Sequence, residues 1–198
     1  MCRLVESIKI ADGKICGLEY HDRRFRTARR DLFGVRDGPG LDTSIRVPNG
    51  FSRGLWKCRV IYAEEVIDVT FEPYRSREIG ALRLVACDDI DYRYKYADRA
   101  PLERLLDRKE GCDDILIVKH GLVTDTSFSN IAFSDGKGWV TPRSPLLRGT
   151  KRDRLVDDGM LTEEDIAPVD LGRFKTASLI NAMLDLGDIV IPAEKIYY

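Results

Sequence analysis

The chain offers a metal ion very little. Two histidines and five cysteines (Cys2, Cys16, Cys58, Cys87, Cys112) are scattered over 198 residues, with no CxxC pair. That scarcity argues against a zinc site, and an odd, dispersed set of thiols fits reduced cysteines in a cytoplasmic protein. No apolar run approaches the roughly 18 residues of a membrane span. The opening "MCRLVESIKI" lacks the long apolar core and small-residue cleavage site of a secretory signal. The 32 basic and 33 acidic residues leave a net charge of −1, so there is no surplus to hold nucleic acid or an anionic membrane. Repeats and low-complexity stretches are missing, and so is the GxxxxGK[ST] phosphate loop. What remains is 43% apolar and 33% charged, the balance of a globular protein long enough for one large or two small cores.

The pattern alternates strands with a few helices. "LVESIKIADGKICGLEY" predicts two strands around a turn at Asp12 and Gly13. "EYHDRRFRTARRDLFG" predicts a helix whose inner stripe is Phe25, Ala28 and Leu32, ended by Gly34. Residues 35–54 are rich in Gly, Pro and Asp and suggest a loop. "LWKCRVIYAEEVIDVTFEPY" is a second hairpin. Beyond a seam near "YRSREIG", "ALRLVAC" predicts a strand, residues 98–109 a helix with Asp98 as cap and Leu102, Leu105 and Leu106 inside, and "DILIVKHG" a buried strand. "SNIAFSDGKGWVTP" turns at Asp135 and Gly136, a helix follows "RGT", and strand-like segments close the chain. The fold class is mixed α and β in two lobes: a small lobe over residues 1–76, and a larger one over 77–198 that carries Lys95.

Lys95 stands out, because a flexible cation interrupts the tyrosine-rich "YRYKY" just before a helix that does not need it. A nucleophilic lysine condenses with a carbonyl, most commonly that of pyridoxal phosphate. Such a cofactor requires a phosphate cradle, an acidic partner for its pyridine nitrogen, and walls. "LLRGTKRDRLVDDG" supplies a turn with Gly149 and a hydroxyl at Thr150 as helix cap, which an ordinary capped helix would also show. Arg24 lies on the shoulder of the apolar stripe, about 40° from Ala28 at 100° per residue, and either points inward or snorkels along the core edge. Arg23, Arg26 and Arg30 lie opposite the stripe, in solvent. Asp125, in "GLVTDTSFSN", is either a turn aspartate capping its own backbone or a carboxylate inside an apolar framework that needs a cation.

"VESIKIADGKICGLEYHDRRF", Lys95 before a leucine-rich helix, "GLVTDTSFSN", "WVTP" and "LRGTKR", in that order, resemble class IV aminotransferases, the fold-type IV pyridoxal-phosphate enzymes. These include branched-chain and D-amino-acid aminotransferases and aminodeoxychorismate lyase. The resemblance spans nearly the whole chain, and "KYADRAPLERLL" is most similar to the lyase's lysine segment. It implies a Schiff-base role for Lys95, a phosphate-binding role for Arg24, a phosphate turn at Gly149, Thr150 and Lys151, and a second phosphate hydroxyl at Ser178. Asp125 matches the position of the pyridine-nitrogen partner, where the family usually has glutamate. Being one methylene shorter, it draws the ring closer or works through a water. The chain is shorter than typical members, with a trimmed small lobe.

The resemblance thus implies a pyridoxal-phosphate enzyme with a small amino substrate and a homodimer, while the composition points to a cytoplasmic protein that uses no metal, nucleic acid or membrane. Its reaction is transamination of an amino acid or cleavage of 4-amino-4-deoxychorismate to 4-aminobenzoate and pyruvate. The competing reading is a catalytically weak homologue that still binds the cofactor.

Overall fold

The computed structural model describes residues 2–198. The chain divides into two compact units. One runs to Arg75 and also takes Tyr94–Asp98, and the other comprises Ser76–Arg93 and Arg99–Tyr198. The lysine segment therefore groups with the first unit, not with the second as its place in the sequence suggests. The reason is backbone pairing. Val5 N donates to Lys95 O (2.9 Å) and Ala97 N to Arg3 O (2.8 Å), around a Leu4–Tyr96 bridge.

In the first unit, β1 (Leu4–Ala11), β2 (Lys14–Ile15), β3 (Leu55–Tyr62) and β4 (Val66–Pro73) form an antiparallel sheet in the order β2-β1-β3-β4. Asp12 and Gly13, both at positive φ (47° and 78°), make the tight β1–β2 turn the sequence announces. Helix α1 (Leu18–Phe33) ends at Gly34 in the left-handed conformation, and Gly34 N–H satisfies the carbonyls of Arg29 and Arg30. Its buried residues are His21, Phe25, Ala28 and Arg29, whereas Leu32 is exposed. The inner stripe is thus shifted one turn toward the N-terminus from Phe25/Ala28/Leu32. Phe25 and Ala28 pack with Leu4, Ile8, Ile10, Cys58, Val60 and Tyr62.

Residues 35–54 are more ordered than their composition suggests. They contain α2 (Leu41–Ser44) and a 3-10 turn, Asn49–Phe51. Arg26 is not merely solvated. Its Nε donates to Asp22 Oδ2 (2.6 Å), while Asp22 Oδ1 accepts from Leu41 N (2.7 Å), so this pair clamps the loop onto α1. The Arg26–Asp22 pair closes over Gly40, where a Cβ would lie 2.4 Å from Arg26 Nη2 and 2.7 Å from Asp22 Oδ1 and would push both side chains aside.

The second unit holds two sheets. β5 (Leu82–Ala86), β6 (Asp114–Lys119), β7 (Leu122–Thr126) and β13 (Ile196–Tyr197) form one, ordered β13-β5-β6-β7. β8 (Asn130–Ser134), β9 (Val140–Pro142), β10 (Thr162–Glu164), β11 (Thr176–Ile180) and β12 (Val190–Pro192) form the other, ordered β10-β9-β8-β11-β12. Helix α3 is Ala100–Leu106, shorter than the expected 98–109, with Leu102 and Leu105 buried. Helix α4 is Thr150–Asp157, and its Leu155 packs with Ala132, Leu161 and Ile180. All five cysteines are free thiols. Among the described residues, no helix is long and apolar enough to cross a membrane.

Candidate active site

Strand alternation puts Leu4, Glu6, Ile8 and Ile10 on one face of β1, and all four are fully buried. Glu6 is the charged member of an otherwise apolar row. Across from it, α1 presents His21 and Arg24, three residues apart on one helical face. Arg24 Nε donates to Glu6 Oε1 (2.9 Å) and Nη2 to Oε2 (2.6 Å), a two-point fork. His21 Nδ1 is 2.6 Å from the same Oε2. Burial pushes the Glu6 carboxyl up, but the Arg24 charge and the hydrogen bonds from His21 and Arg24 outweigh it and hold the group at about 2. Burial lowers His21 from its ordinary value against the pull of Glu6, and the charges of Arg24 and Lys95 add to the fall. His21 is therefore neutral, and its Nδ1–H donates to Glu6. The half-buried Lys95 lies close enough for its charge to be felt at that imidazole.

In the second unit the chemistry gathers where β7 passes into β8. Leu116 pairs with Thr126 and Val118 with Val123, so β7 carries one residue more than β6 over this stretch. That β-bulge turns side chains out of simple alternation. Val123, Thr124, Asp125 and Thr126 are all buried, with Thr124 Oγ1 donating to Ile117 O (2.8 Å). Asp125 Oδ1 accepts from Asn130 Nδ2 (2.8 Å) and Oδ2 from Leu147 N (2.9 Å). Burial pushes the Asp125 carboxyl up to about 6, against the lowering effect of the Leu147 N–H, the Asn130 amide and the more distant Arg152 charge. Among the described residues, no cation makes an ion pair with it.

Asn130 ties Asp125 to α4. Its Nδ2 also donates to Leu147 O (2.8 Å), and its Oδ1 would lie 1.9 Å from a Cβ at position 149. Gly149 is thus required by a close approach and not by its backbone angles, which are extended (φ −75°, ψ 140°). It is Gly149, not Thr150, that caps α4, and Thr150 opens the helix. The first helical bond runs from Asp153 N to Gly149 O (2.9 Å), so the N–H groups of the turn before it lie outside the helical ladder, at the positive end of the helix dipole. Lys151 is ion-paired with Asp185. Ser178 is fully buried, and its Oγ accepts from Gly187 N (2.9 Å). Lys151 and Ser178 thereby hold the same loop, residues 181–188. The fully buried Arg152 anchors α4 through Pro142 O (2.8 Å) and Glu163 Oε1 (2.6 Å).

Of the residues singled out from sequence, Arg24 and Lys95 belong to the first unit and Asp125, Gly149, Thr150, Lys151 and Ser178 to the second. Arg24 turns inward to Glu6, one of the two directions its place on the helix shoulder leaves open, and Asp125 is a buried carboxylate and not a turn cap. Glu6 and Asn130 went unnoticed. The alternation of "LVESIKIA" carried the signal for Glu6, since a glutamate in register with Leu4, Ile8 and Ile10 must meet a cation. Nothing local marks Asn130, whose partners lie 5 and 17 positions away.

Comparison with known proteins places these residues in a family context. The family model for amino-transferase class IV matches residues 91–190. An uncharacterised Haemophilus influenzae protein is 35% identical over 185 residues, covering 92% of this chain and 98% of its own. A Haemophilus somnus structure, provisionally assigned as a 4-amino-4-deoxychorismate lyase, is 32% identical with a TM-score of 0.88, covering 94% and 98% of the two chains. A hypothetical aminotransferase from Mycobacterium tuberculosis, solved in its PLP-bound form, shares the fold at 17% identity and a TM-score of 0.75, over 98% of this chain and 81% of that one. The chain belongs to the class IV aminotransferases, a family of fold-type IV, pyridoxal-phosphate-dependent enzymes.

Proposed function

We propose that this protein binds pyridoxal phosphate and removes the α-proton of a small amino substrate. Its reaction in this reading is cleavage of 4-amino-4-deoxychorismate to 4-aminobenzoate and pyruvate. Amino-acid transamination is the other outcome of the same proton step. The observation that carries the reading is Asp125, a buried carboxylate held by the N–H groups of Asn130, Leu147 and Leu146 with no cation paired to it. A protonated pyridine nitrogen supplies the missing charge, and a carboxylate with three N–H donors on its two oxygens still has a lone pair to accept it. The donor chemistry also fits a phosphate dianion, with a guanidinium at Arg24 and helix-start N–H groups at Thr150 and Lys151. The lyase is favoured because the relative so assigned is 32% identical nearly end to end.

When bound, the cofactor supplies the electron sink for a carbanion beside the amine. Lys95 Nζ would hold the cofactor's aldehyde carbon until the substrate amine displaced it, and the freed amine would then take and return the substrate α-proton. Arg24, Gly149, Thr150, Lys151 and Ser178 hold the phosphate, and Asp125 keeps the pyridine nitrogen protonated. The working form is a cytoplasmic homodimer, as in fold-type IV relatives that build the site near a subunit interface. Sedimentation showing a fully active monomer removes that part.

The deciding experiment gives purified protein 4-amino-4-deoxychorismate in one arm and a panel of L- and D-amino acids with a keto-acid acceptor in the other. The expected result is a yellow protein that forms 4-aminobenzoate and pyruvate, with both colour and turnover lost in Lys95→Ala. A yellow protein that turns over neither substrate class makes it a catalytically weak homologue. A colourless protein that cannot be loaded overturns the reading.

A further inference from the structure

Glu6 poses a problem that the assignment of Arg24 to the phosphate does not solve. It is a fully buried carboxylate in the apolar row of β1. An apolar residue there would extend the Leu4/Ile8/Ile10 face, and well-packed hydrophobic residues commonly match or improve on a buried ion pair. Glu6 also acts against phosphate binding, because its negative charge offsets the guanidinium that is to attract a dianion. Something must compensate for both penalties.

The geometry of the fork points to what it is. Glu6 takes the Nε–H and one Nη2–H of Arg24, both in the guanidinium plane. A planar guanidinium has five N–H donors in fixed directions. Fixing one edge with two bonds fixes the direction of the other, formed by Nη1 and the second Nη2–H. The His21 Nδ1–H on the same Oε2 prevents the carboxylate from rotating. Arg24 itself is only 15% exposed, so its stem has little room to swing.

We propose that Glu6 is a positioning residue for cofactor binding. It sets the plane of Arg24 so that the outward edge of the guanidinium meets the phosphate in a fork, with His21 locking Glu6 in turn. The proposal rests on the reading of Arg24 as the phosphate arginine. Glu6 touches neither cofactor nor substrate. It gives up some electrostatic attraction in exchange for a guanidinium that loses little freedom on binding.

The test measures affinity for pyridoxal phosphate, and separately for pyridoxal, on apoprotein carrying Glu6→Gln, Arg24→Lys or both. Gln keeps the size of Glu6 but offers one acceptor where Arg24 has two donors. Arg24→Lys keeps a cation for Glu6 but has no fork to orient. In the parent background, Glu6→Gln is expected to weaken pyridoxal phosphate about tenfold and leave pyridoxal unchanged. In the Arg24→Lys background the same change is expected to matter less than twofold. A purely structural role for Glu6 weakens both ligands, in both backgrounds, and overturns the proposal. So does unchanged or tighter binding of pyridoxal phosphate to Glu6→Gln. Should Glu6→Gln fail to fold, Glu6→Asp decides. Its carboxylate is too short to reach both N–H groups squarely, and it must show the same phosphate-specific loss in weaker form. If the parent protein binds pyridoxal phosphate no better than pyridoxal, or Arg24→Lys has no effect, the phosphate reading of Arg24 is what fails.

Discussion

Glu6 and Asp125 are carboxylates of similar burial, one in each unit, and they are shifted in opposite directions from the ordinary carboxylate value. Glu6 is held at about 2 and Asp125 is pushed up to about 6. Each accepts hydrogen bonds on both oxygens. The difference is charge: Glu6 meets a guanidinium, whereas Asp125 meets a backbone N–H and a side-chain amide. Neutral donors reduce the cost of burying a carboxylate without removing it, and a cation at bonding distance removes it. The comparison separates a finished ion pair from a half-finished one. The unfinished one has the character of a binding group, because the missing partner can come from a ligand.

The strongest way to break this comparison is to make Glu6 resemble Asp125. Arg24→Met keeps much of the side-chain volume and removes the charge, leaving Glu6 buried with only the His21 donor. Removing one partner of a buried pair costs about 3–5 kcal/mol. Chemical denaturation at pH 7 should show a loss of that size. Part of it should return at pH 5, because a carboxyl without its cation rises and takes up a proton. Parent-like stability of Arg24→Met at pH 7 would mean that Glu6 does not depend on Arg24.

A second effect separates the units by pH. Asp125 binds its proton more tightly folded than unfolded, so it stabilises cofactor-free protein below its ordinary value of 3.8, and this is lost as pH rises through about 6. Glu6 has the opposite sign. Its contribution is present above its ordinary 4.5 and is lost as pH falls toward 2. Hydrogen exchange resolved by segment should therefore show β7 and β8 gaining protection from pH 6 to pH 4, while β1 and α1 stay level until below 4.5. Asp125→Asn should abolish the first trend and keep the second. A β7 segment with no pH dependence in that window would place Asp125 in contact with water or a cation.

The contrast also shows what could be read in advance. The β1–β2 turn, α1 with its terminal glycine, the β3–β4 hairpin and the buried β6 were legible because each is written locally, in turn chemistry or in a clear period. The direction of Arg24 was only half legible, because helical geometry puts it on the shoulder of the stripe and leaves inward pointing and snorkelling both open. Three things were not, and each depends on a distant partner. Leu32 looks like a core position by spacing and lies on the same face as His21, but that face is buried only from His21 to Arg29 and its last turn is exposed. Lys95 belongs by sequence to the strand–helix join of the larger lobe, but its carbonyl accepts from Val5 N, and Ala97 N beside it donates to Arg3 O, some 90 residues earlier. Asp125 could be placed in an apolar framework, but the bulge that buries it appears only in its register against β6.

The smallest effect sharpens the comparison furthest. If the low value of Glu6 came from the general positive charge of α1, any arginine of "RRFR" would contribute. Arg23 tests this, since it carries the same charge one position earlier on the same helix. It is exposed, with its guanidinium 4.9 Å from the Tyr20 ring centroid. One residue is 100° of helix rotation, which takes it off the face that meets β1. An exposed cation–π contact is worth about 0.5–1 kcal/mol, so Arg23→Ala should cost far less in stability than Arg24→Met. The Glu6 carboxyl, followed by NMR through an acid titration, should shift by a few tenths of a unit at most. Cofactor affinity should stay at the parent level, whereas a charged hydrogen bond worth about 2–3 kcal/mol makes Arg24→Ala weaken it some thirty- to a hundredfold. Equal effects from the two substitutions would make the Glu6 site a product of overall charge. A large gap between them makes it a product of the two-point fork, and then the absence of any such fork at Asp125 is the feature that distinguishes the two carboxylates.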